Sequence, residues 1–499
     1  MTSTSTIVRN AVGGTAHATT TPATYKVTHP ATGDVPHEVE RSTAADLKRA
    51  IDTAHAALPA WSKTPLADRK AVLLKAAALL EDSSSGWADK LVKANLAEQS
   101  CTPWWASAQI HAVEGALKTL VASADEALEE KIVTEGAATF KIGREPYGVC
   151  LAIAAWNAVA ILTMRAITTP LLAGNTVVLK TSEMAPLSQT HAAELLYAAG
   201  LPHDALVVVH VATPDAAELT PVLVGDKRIR HVNFTGSTRV GSIIAGLAGQ
   251  HLKPSLMELG GKAPTLILPD ADIETAASHI LFGAFMNAGQ ICMSTERIIV
   301  PASKHDALVA ALRSSWDTVK VKQPRALFQS ASGERVNRLF DDAISKGAKP
   351  ILDQAGKAPS TAFFEPTIIG PVDPSMALYT EESFGPIAVV VTVPDSGRSD
   401  DAVIDEMVAI ANDTDYGLSA GVWGKDLARA EKVARRMESG AVHVNGPTPA
   451  DPPMIPHGGW KSSGWGRFNG VEGIRSFTQT RSIELSAAPQ PMPLNVFEL

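Results

Sequence analysis

The sequence points to an α/β fold made of two successive sheet-and-helix blocks, and three observations carry that reading. Between residues 148 and 260, short apolar runs alternate with amphipathic segments, the rhythm of a parallel doubly wound sheet. A second block follows, with strand candidates at 263–268, 297–300, 388–393, 420–423 and 441–445. The chain has 499 residues, 45% hydrophobic and 19% charged, enough to bury large cores in two or three domains.

The bulk numbers also exclude classes of function. There are 44 Lys and Arg against 52 Asp and Glu, a net charge of −8, with no long basic run. Nucleic acid and anionic membrane surfaces are therefore not expected partners. Cys101, Cys150 and Cys292 are odd in number, far apart and without metal-ligand spacing. A reduced, cytoplasmic thiol set fits this better than a disulfide framework, and no metal is expected. One stretch, 147–164, is apolar over about 18 residues, close to a membrane span. Asn157 inside it, Gly148 near its start and a further apolar segment after it favour a buried strand, loop and helix.

In chain order, residues 1–24 are rich in Thr, Ser and Ala, with Arg9 as the single Arg or Lys and no apolar core, as in a disordered terminus or a loosely attached strand. A turn at 28–34 precedes a helix that starts after Ser42-Thr43 and carries Leu47, Ile51, Ala54 and Leu58 on one face. Further helices are expected at 66–80, 87–98 and, beyond Trp104-Trp105, 107–128. Residues 131–147 alternate loosely through Ile132, Thr134, Ala138, Phe140 and Ile142, as in an exposed hairpin. Residues 483–499 look extended as well. Neither piece has a visible core of its own, which suggests an oligomerisation flap. The first sheet is expected from strands at 149–154, 176–180, 206–211 and 231–235, with helices near 160–173, 187–199, 214–222 and 239–248.

Several polar residues stand where chemistry could use them. Thr235-Gly236-Ser237-Thr238-Arg239-Val240-Gly241 follows a strand and opens a helix, a phosphate-binding context that lacks the central glycine of the usual dinucleotide fingerprint. Lys180 and Glu183 lie at a strand's carboxyl end, where a carboxylate can take both hydroxyls of a ribose; a solvated surface pair is the plain alternative. Glu258, between Met257 and Leu259-Gly260-Gly261, would be partly desolvated, with a raised pKa suited to a general base. The amide of Asn157 could donate to an oxyanion. Cys292, after Gly289-Gln290-Ile291, has small residues before it that would let a carbonyl approach the sulfur. Taken singly, Glu258 and Asn157 could each be a hydrogen-bonded core group, and Cys292 a buried thiol.

Together, Met257-Glu258-Leu259-Gly260-Gly261-Lys262, Gly289-Gln290-Ile291-Cys292 and Glu382-Ser383-Phe384-Gly385-Pro386, in that order, resemble the NAD(P)-dependent aldehyde dehydrogenase superfamily over residues 28–481. The resemblance implies a Rossmann-like NAD-binding domain (25–128 and 148–257), an α/β catalytic domain (258–477) and a small β oligomerisation extension (129–147 and 478–499). It implies Cys292 as nucleophile, Asn157 and the Cys292 backbone N–H as oxyanion donors, and Glu258 as the base that activates water. NAD would be held by Trp156, Lys180, Glu183, Gly236, Ser237, Glu382 and Phe384. The implied partners are a small aldehyde and further copies of the chain, as a homodimer or homotetramer.

Departures from the family pattern are specific. Ala155 stands for a usual Pro before Trp156-Asn157, which would loosen the oxyanion loop, and Thr181 for a usual Pro after Lys180. His457 stands for a frequent Phe, and the region 319–330 looks shortened. Trp104-Trp105-Ala106, the run from Asn157 through Arg165 to Pro170, and Gln290 through Arg297 resemble the salicylaldehyde and vanillin dehydrogenase branch. Arg165, eight residues past Asn157, would meet a phenolic oxygen or a carboxylate, or else serve as an interdomain salt bridge. Trp105, Ile291 and Met293 would wall the substrate. Aliphatic aldehyde or semialdehyde oxidation, and a non-catalytic binding protein on the same fold, are the alternatives.

Overall fold

Eight strands form the first sheet, in the order Gly464–Trp465, Ser255–Glu258, Ile229–Thr235, Val149–Ile153, Thr176–Lys180, Leu206–Val209, Ala11–Val12 and Thr15–Ala16. The structure is a computed structural model that describes residues 6–12, 15–16, 23–136, 138–319, 325–352, 362–487, 491–492 and 496. Parts of the expected N-terminal tail, of the 319–330 region and of the extended C-terminus lie outside these residues. The strands from Ser255–Glu258 across to Leu206–Val209 all pair in parallel. Strand order reverses beside Val149–Ile153, so a crevice opens at the carboxyl ends of its neighbours.

The pleat explains why these strands are apolar throughout. Cys150 and Ala152 face one core, with Leu162, Ile167 and Leu196 of the helices Val159–Leu172 and Pro186–Ala198. Val149, Leu151 and Ile153 face the other, with Leu47 and Ile51 of the helix Ala44–Trp61. A sheet covered on both faces reads as continuous hydrophobicity rather than alternation. This also resolves the stretch 147–164, which folds as a strand, a loop and the start of a helix. No helix among the described residues is long and apolar enough to cross a membrane.

The second sheet has seven strands, ordered Lys349–Pro350, Thr367–Gly370, Ile387–Val393, Thr295–Pro301, Ala263–Ile267, Ser419–Trp423 and Ala441–Val444. All pair in parallel except the first, at the edge. A four-residue turn, Leu259-Gly260-Gly261-Lys262, carries the chain from the carboxyl end of Ser255–Glu258 into the amino end of Ala263–Ile267. The carboxyl edge of one sheet thereby faces the amino edge of the other. The third sheet is antiparallel, Thr478–Ser486 beside Ala138–Pro146 beside Lys131–Glu135, and leaves Ile132, Val133, Ile483 and Leu485 exposed.

Two readings of local structure are sharpened. Of disorder and a loosely attached strand, the N-terminal stretch takes the strand where it is described: Thr6–Val8 pairs with His37–Glu40, and Ala11–Val12 adds to the edge of the first sheet. Val8 and Val12 are buried, and Asn10 Oδ1 accepts from Ser42 Oγ at 3.0 Å and from the His210 N–H at 2.9 Å. Alternating Val and Ala amid many Thr and Ser were enough to supply a sheet edge with a partner. The helix expected from 107 instead runs Pro103–Ala122, because Pro103 fits its first turn and Thr102 Oγ accepts from the Trp105 N–H at 3.0 Å. That earlier start turns Trp105 inward and Trp104 outward.

Candidate active site

The site is assembled from loops at the facing edges of the two sheets. The helix Ile273–Phe285 ends in three consecutive left-handed residues, Asn287 (φ 50°), Ala288 (φ 57°) and Gly289 (φ 69°). Non-glycine residues adopt this region at a cost of roughly 1 kcal/mol each, so the surroundings must hold it. They do so through Asn157. Asn287 Nδ2 donates to the Asn157 carbonyl at 3.0 Å, Trp105 Nε1 donates to the same oxygen at 3.3 Å, and Asn157 Nδ2 donates to the Gln290 carbonyl at 3.0 Å. At Gly289 a Cβ would stand 2.1 Å from the Gly385 carbonyl oxygen, so only glycine fits.

The loop expected to be loosened by Ala155 is tied at each carbonyl. Gln189 Nε2 donates to Ala154 O at 3.2 Å and to Ala155 O at 3.3 Å, while Gln99 Nε2 donates to Trp156 O. Hydrogen bonds replace the restraint a proline ring would give. Of Asn157's two amide N–H donors, one is used on Gln290; the second is the one an oxyanion could take.

Cys292 Sγ lies 3.0 Å from Glu258 Oε1, and the carboxylate is fully buried. Arg165 Nη2 donates to Glu258 Oε2 at 3.1 Å, and Arg165 Nη1 to Asp451 Oδ2 at 2.7 Å. His457 Nε2 is 3.8 Å from Glu258 Oε1, and its Nδ1 is 3.6 Å from Asp451 Oδ1. The expectation of a raised Glu258 pKa is overturned. Burial pushes it up, but the His457 ring, the Arg165 charge and the Cys292 thiol together hold it down to about 2. Burial pushes the Cys292 thiol well above its usual value, and the Glu258 carboxylate pushes it further. At rest, then, the proton sits on sulfur and its acceptor touches it.

For Arg165 the salt-bridge alternative is the one observed. The residue lines a cavity with Cys292, but its guanidinium is committed to Glu258 and Asp451 and stacks 4.9 Å from the Phe468 ring, so it is not a free partner for a phenol or carboxylate. The cavity has a volume of about 400 Å³. Trp105, Ile161, Ile291 and Met293 contribute to its apolar wall, and Asn157 and Cys292 also line it.

On the other side of Cys292 lie the residues expected to face a dinucleotide. Lys180 Nζ is 3.4 Å from Glu183 Oε2 at the carboxyl end of Thr176–Lys180. Ser237, exposed, caps the helix Thr238–Gln250, whose amino end opens beside Gly236 and can receive a phosphate. At the replaced proline, Thr181 Oγ1 meets His210 Nδ1 at 2.7 Å. Glu382 Oε1 accepts from the Gly261 N–H at 2.8 Å; burial, then the neighbouring Glu296, raise its pKa to about 8. Trp156 and Phe384 stand edge to face, 5.9 Å between ring centres. An exposed helix start, a strand-end carboxylate and an aromatic pair suit the phosphates, ribose and ring of NAD. Asp451 and the contacts of Gln99 and Gln290 escaped the sequence reading; the one available signal was a charged residue inside the otherwise apolar, proline-rich run 448–456.

A doubly wound sheet with a crevice at its carboxyl edge, beside a thiol in contact with a buried carboxylate, is the arrangement of an α/β enzyme. The chain belongs to the aldehyde dehydrogenase family, whose model matches residues 17–483, and its chemistry is aldehyde oxidation. It is 39% identical over 479 residues to a vanillin dehydrogenase of Pseudomonas fluorescens, covering 94% of this chain and 96% of that one. A salicylaldehyde dehydrogenase from Pseudomonas putida G7, solved with salicylaldehyde bound, superposes with a TM-score of 0.91 at 35% identity, over 98% of this chain and 100% of that one. An NAD-dependent aldehyde dehydrogenase from Sinorhizobium meliloti gives a TM-score of 0.90 at 29% identity, over 98% and 96% of the two chains.

Proposed function

We propose that this protein is an NAD-dependent dehydrogenase that oxidises an aromatic, salicylaldehyde-like aldehyde to its carboxylic acid through covalent intermediates on Cys292. The observation that carries the reading is the Cys292 thiol, which lines a mostly apolar cavity of about 400 Å³ and lies 3.0 Å from the Glu258 carboxylate. Glu258 takes the thiol proton as sulfur adds to the carbonyl carbon, giving a thiohemiacetal. Asn157 and the Cys292 N–H hold its oxyanion. NAD, when bound, accepts the hydride that leaves this carbon, and a thioester remains on Cys292. Glu258 then draws a proton from water, oxygen bonds to carbon, and the carbon–sulfur bond breaks to release the acid.

Lys180 and Glu183 would hold the adenosine ribose, Gly236 and Ser237 the phosphates, and Glu382, Phe384 and Trp156 the nicotinamide end. Residues 25–128 and 148–257 would form the cofactor domain and 258–477 the catalytic domain. Residues 129–147 and 478–499 would join copies into a dimer or tetramer through the exposed Ile132, Val133, Ile483 and Leu485. A cytoplasmic location is consistent with three cysteines that form no disulfide.

The aromatic preference rests on Trp105, Ile291 and Met293. A semialdehyde needs a free cation for its carboxylate, and Arg165 is already paired twice. The test is kcat/KM for salicylaldehyde, vanillin, hexanal and succinic semialdehyde, each with NAD and with NADP. The aromatic aldehydes with NAD should lead; a lead for hexanal or succinic semialdehyde overturns the substrate class.

A further inference from the structure

We propose that His457, which stands between Glu258 and Asp451, is the route by which Glu258 passes protons out of the site. The inference rests on the proposed oxidation and concerns a step that reaction requires. Oxidation of one aldehyde with NAD and water yields a carboxylate, NADH and two protons. Glu258 is first acceptor for both: one comes from the Cys292 thiol when sulfur bonds to carbon, the other from the water that cleaves the thioester. The proton of the product acid returns to the departing thiolate, which closes the balance. A carboxylate holding the first proton cannot take the second, so Glu258 must be emptied in between.

The geometry supplies a neighbour for that purpose. His457 is 3% exposed and fixed through its backbone, which donates to Phe468 O at 2.9 Å and accepts from the Phe468 N–H at 2.8 Å. The ring stands between two carboxylates, with Nδ1 3.6 Å from Asp451 Oδ1 and Nε2 3.8 Å from Glu258 Oε1. Nε2 is buried and has no hydrogen-bond partner, an arrangement proteins normally avoid and one that a small approach to Glu258 would satisfy. Neither carboxylate is within hydrogen-bond distance of the ring at rest, so a shift of a few tenths of an ångström lets one ring nitrogen take a proton from Glu258 while the other gives one to Asp451.

Asp451 is itself anchored, by Asn469 Nδ2 at 2.7 Å and by Arg165, and it lines the cavity, where water can receive the proton. The charged and titratable groups around the ring are Glu258 from Ser255–Glu258, Arg165 from Val159–Leu172, Cys292 from its loop, Asp451, and His443 from Ala441–Val444, whose pKa burial and then His457 itself push down. Two carboxylates against one guanidinium leave a negative charge, and a proton travelling along Glu258, His457 and Asp451 neutralises it at each stop.

His457 is thus a positioning and relay residue acting through Glu258, and its removal should slow turnover after the first acylation. In His457→Gln, which keeps a buried polar side chain but cannot carry a proton, and in His457→Phe, the first-turnover burst of NADH should persist. The steady-state rate should fall about 10- to 100-fold. The rate of the Gln variant should rise with imidazole buffer concentration at fixed pH, while the wild type stays flat. The pH dependence of Cys292 alkylation by iodoacetamide, measured without cofactor, should also shift in both variants. Unchanged kcat and alkylation in His457→Gln would overturn the proposal, as would equal losses of burst and steady state with no buffer response. If the wild type makes no NADH from any aldehyde of the panel, the proposed function fails instead, and the alkylation profile still decides whether His457 is coupled to the Glu258–Cys292 pair.

Discussion

Two buried charge clusters lie on either side of Cys292, and they are built differently. Around Glu296 the contacts are saturated. Its carboxylate accepts from Lys262 Nζ at 2.5 Å, from the Ser383 N–H at 2.9 Å to each oxygen and from the Phe384 N–H at 3.3 Å. The adjacent Arg297 donates to the carbonyls of Lys262, Ile410, Ala411 and Asp413. Around Glu258 the contacts are slack, with His457 at 3.8 Å and 3.6 Å from its acids, its Nε2 without a partner, and a thiol proton in contact with a carboxylate. A saturated low-dielectric network locks its members, whereas an incomplete one leaves room for a proton to move. The first ties down the 382–385 loop; the second is where we place the proposed chemistry.

Substitutions should separate the two clusters. The largest effect is expected for Cys292→Ala, which should lose at least about 10⁴-fold in NADH production while NAD binding by calorimetry stays intact; substantial turnover would remove the nucleophile. Glu258→Gln should slow steady-state turnover roughly 10²- to 10⁴-fold. The same variant should bring alkylation of Cys292 to lower pH: the thiol pKa is raised first by burial and then by the Glu258 anion, and the substitution removes the second cause. An onset at higher pH would contradict the assigned pair.

On the saturated side, Glu296→Ala should behave oppositely. It strands Lys262 in the core and should cost about 3–5 kcal/mol of stability, read in denaturant unfolding. A fully stable Glu296→Ala protein with lost activity would abolish the distinction between the clusters. The smallest effect is expected for Trp105→Ala. It removes a cavity wall and a hydrogen bond to Asn157, and should lower kcat/KM for salicylaldehyde about tenfold relative to hexanal.

Much of this was legible in the chain. The strands of both sheets are apolar on both faces, so their runs announced themselves, and Glu258 and Cys292 each stand in a motif whose flanking glycines admit close approach. What stayed hidden depends on long-range packing. No local signal tells that Arg165 reaches across to Glu258 and Asp451, since the three are brought together only when helix, strand and loop meet. The sign of the Glu258 pKa was missed for the same reason: burial can be read from neighbours in sequence, but the compensating charges come from residues 93 positions before it in chain order and far behind it. The N-terminal strands could not be placed in advance because their few apolar residues, scattered among many Thr and Ser, form no regular pattern.

The left-handed turn before Cys292 has one further consequence. Because the backbone of Gly289 rests directly against the carbonyl of Gly385, the nucleophile's loop and the loop bearing Glu382 and Phe384 form a single mechanical part. Neither can be displaced without dragging the other. The distance between the Cys292 loop and the Glu382–Phe384 loop is therefore a fixed dimension of the protein, set by an absent methyl group, and under the proposed function drift in that dimension would show itself as mistiming between the half-reactions before either one was lost.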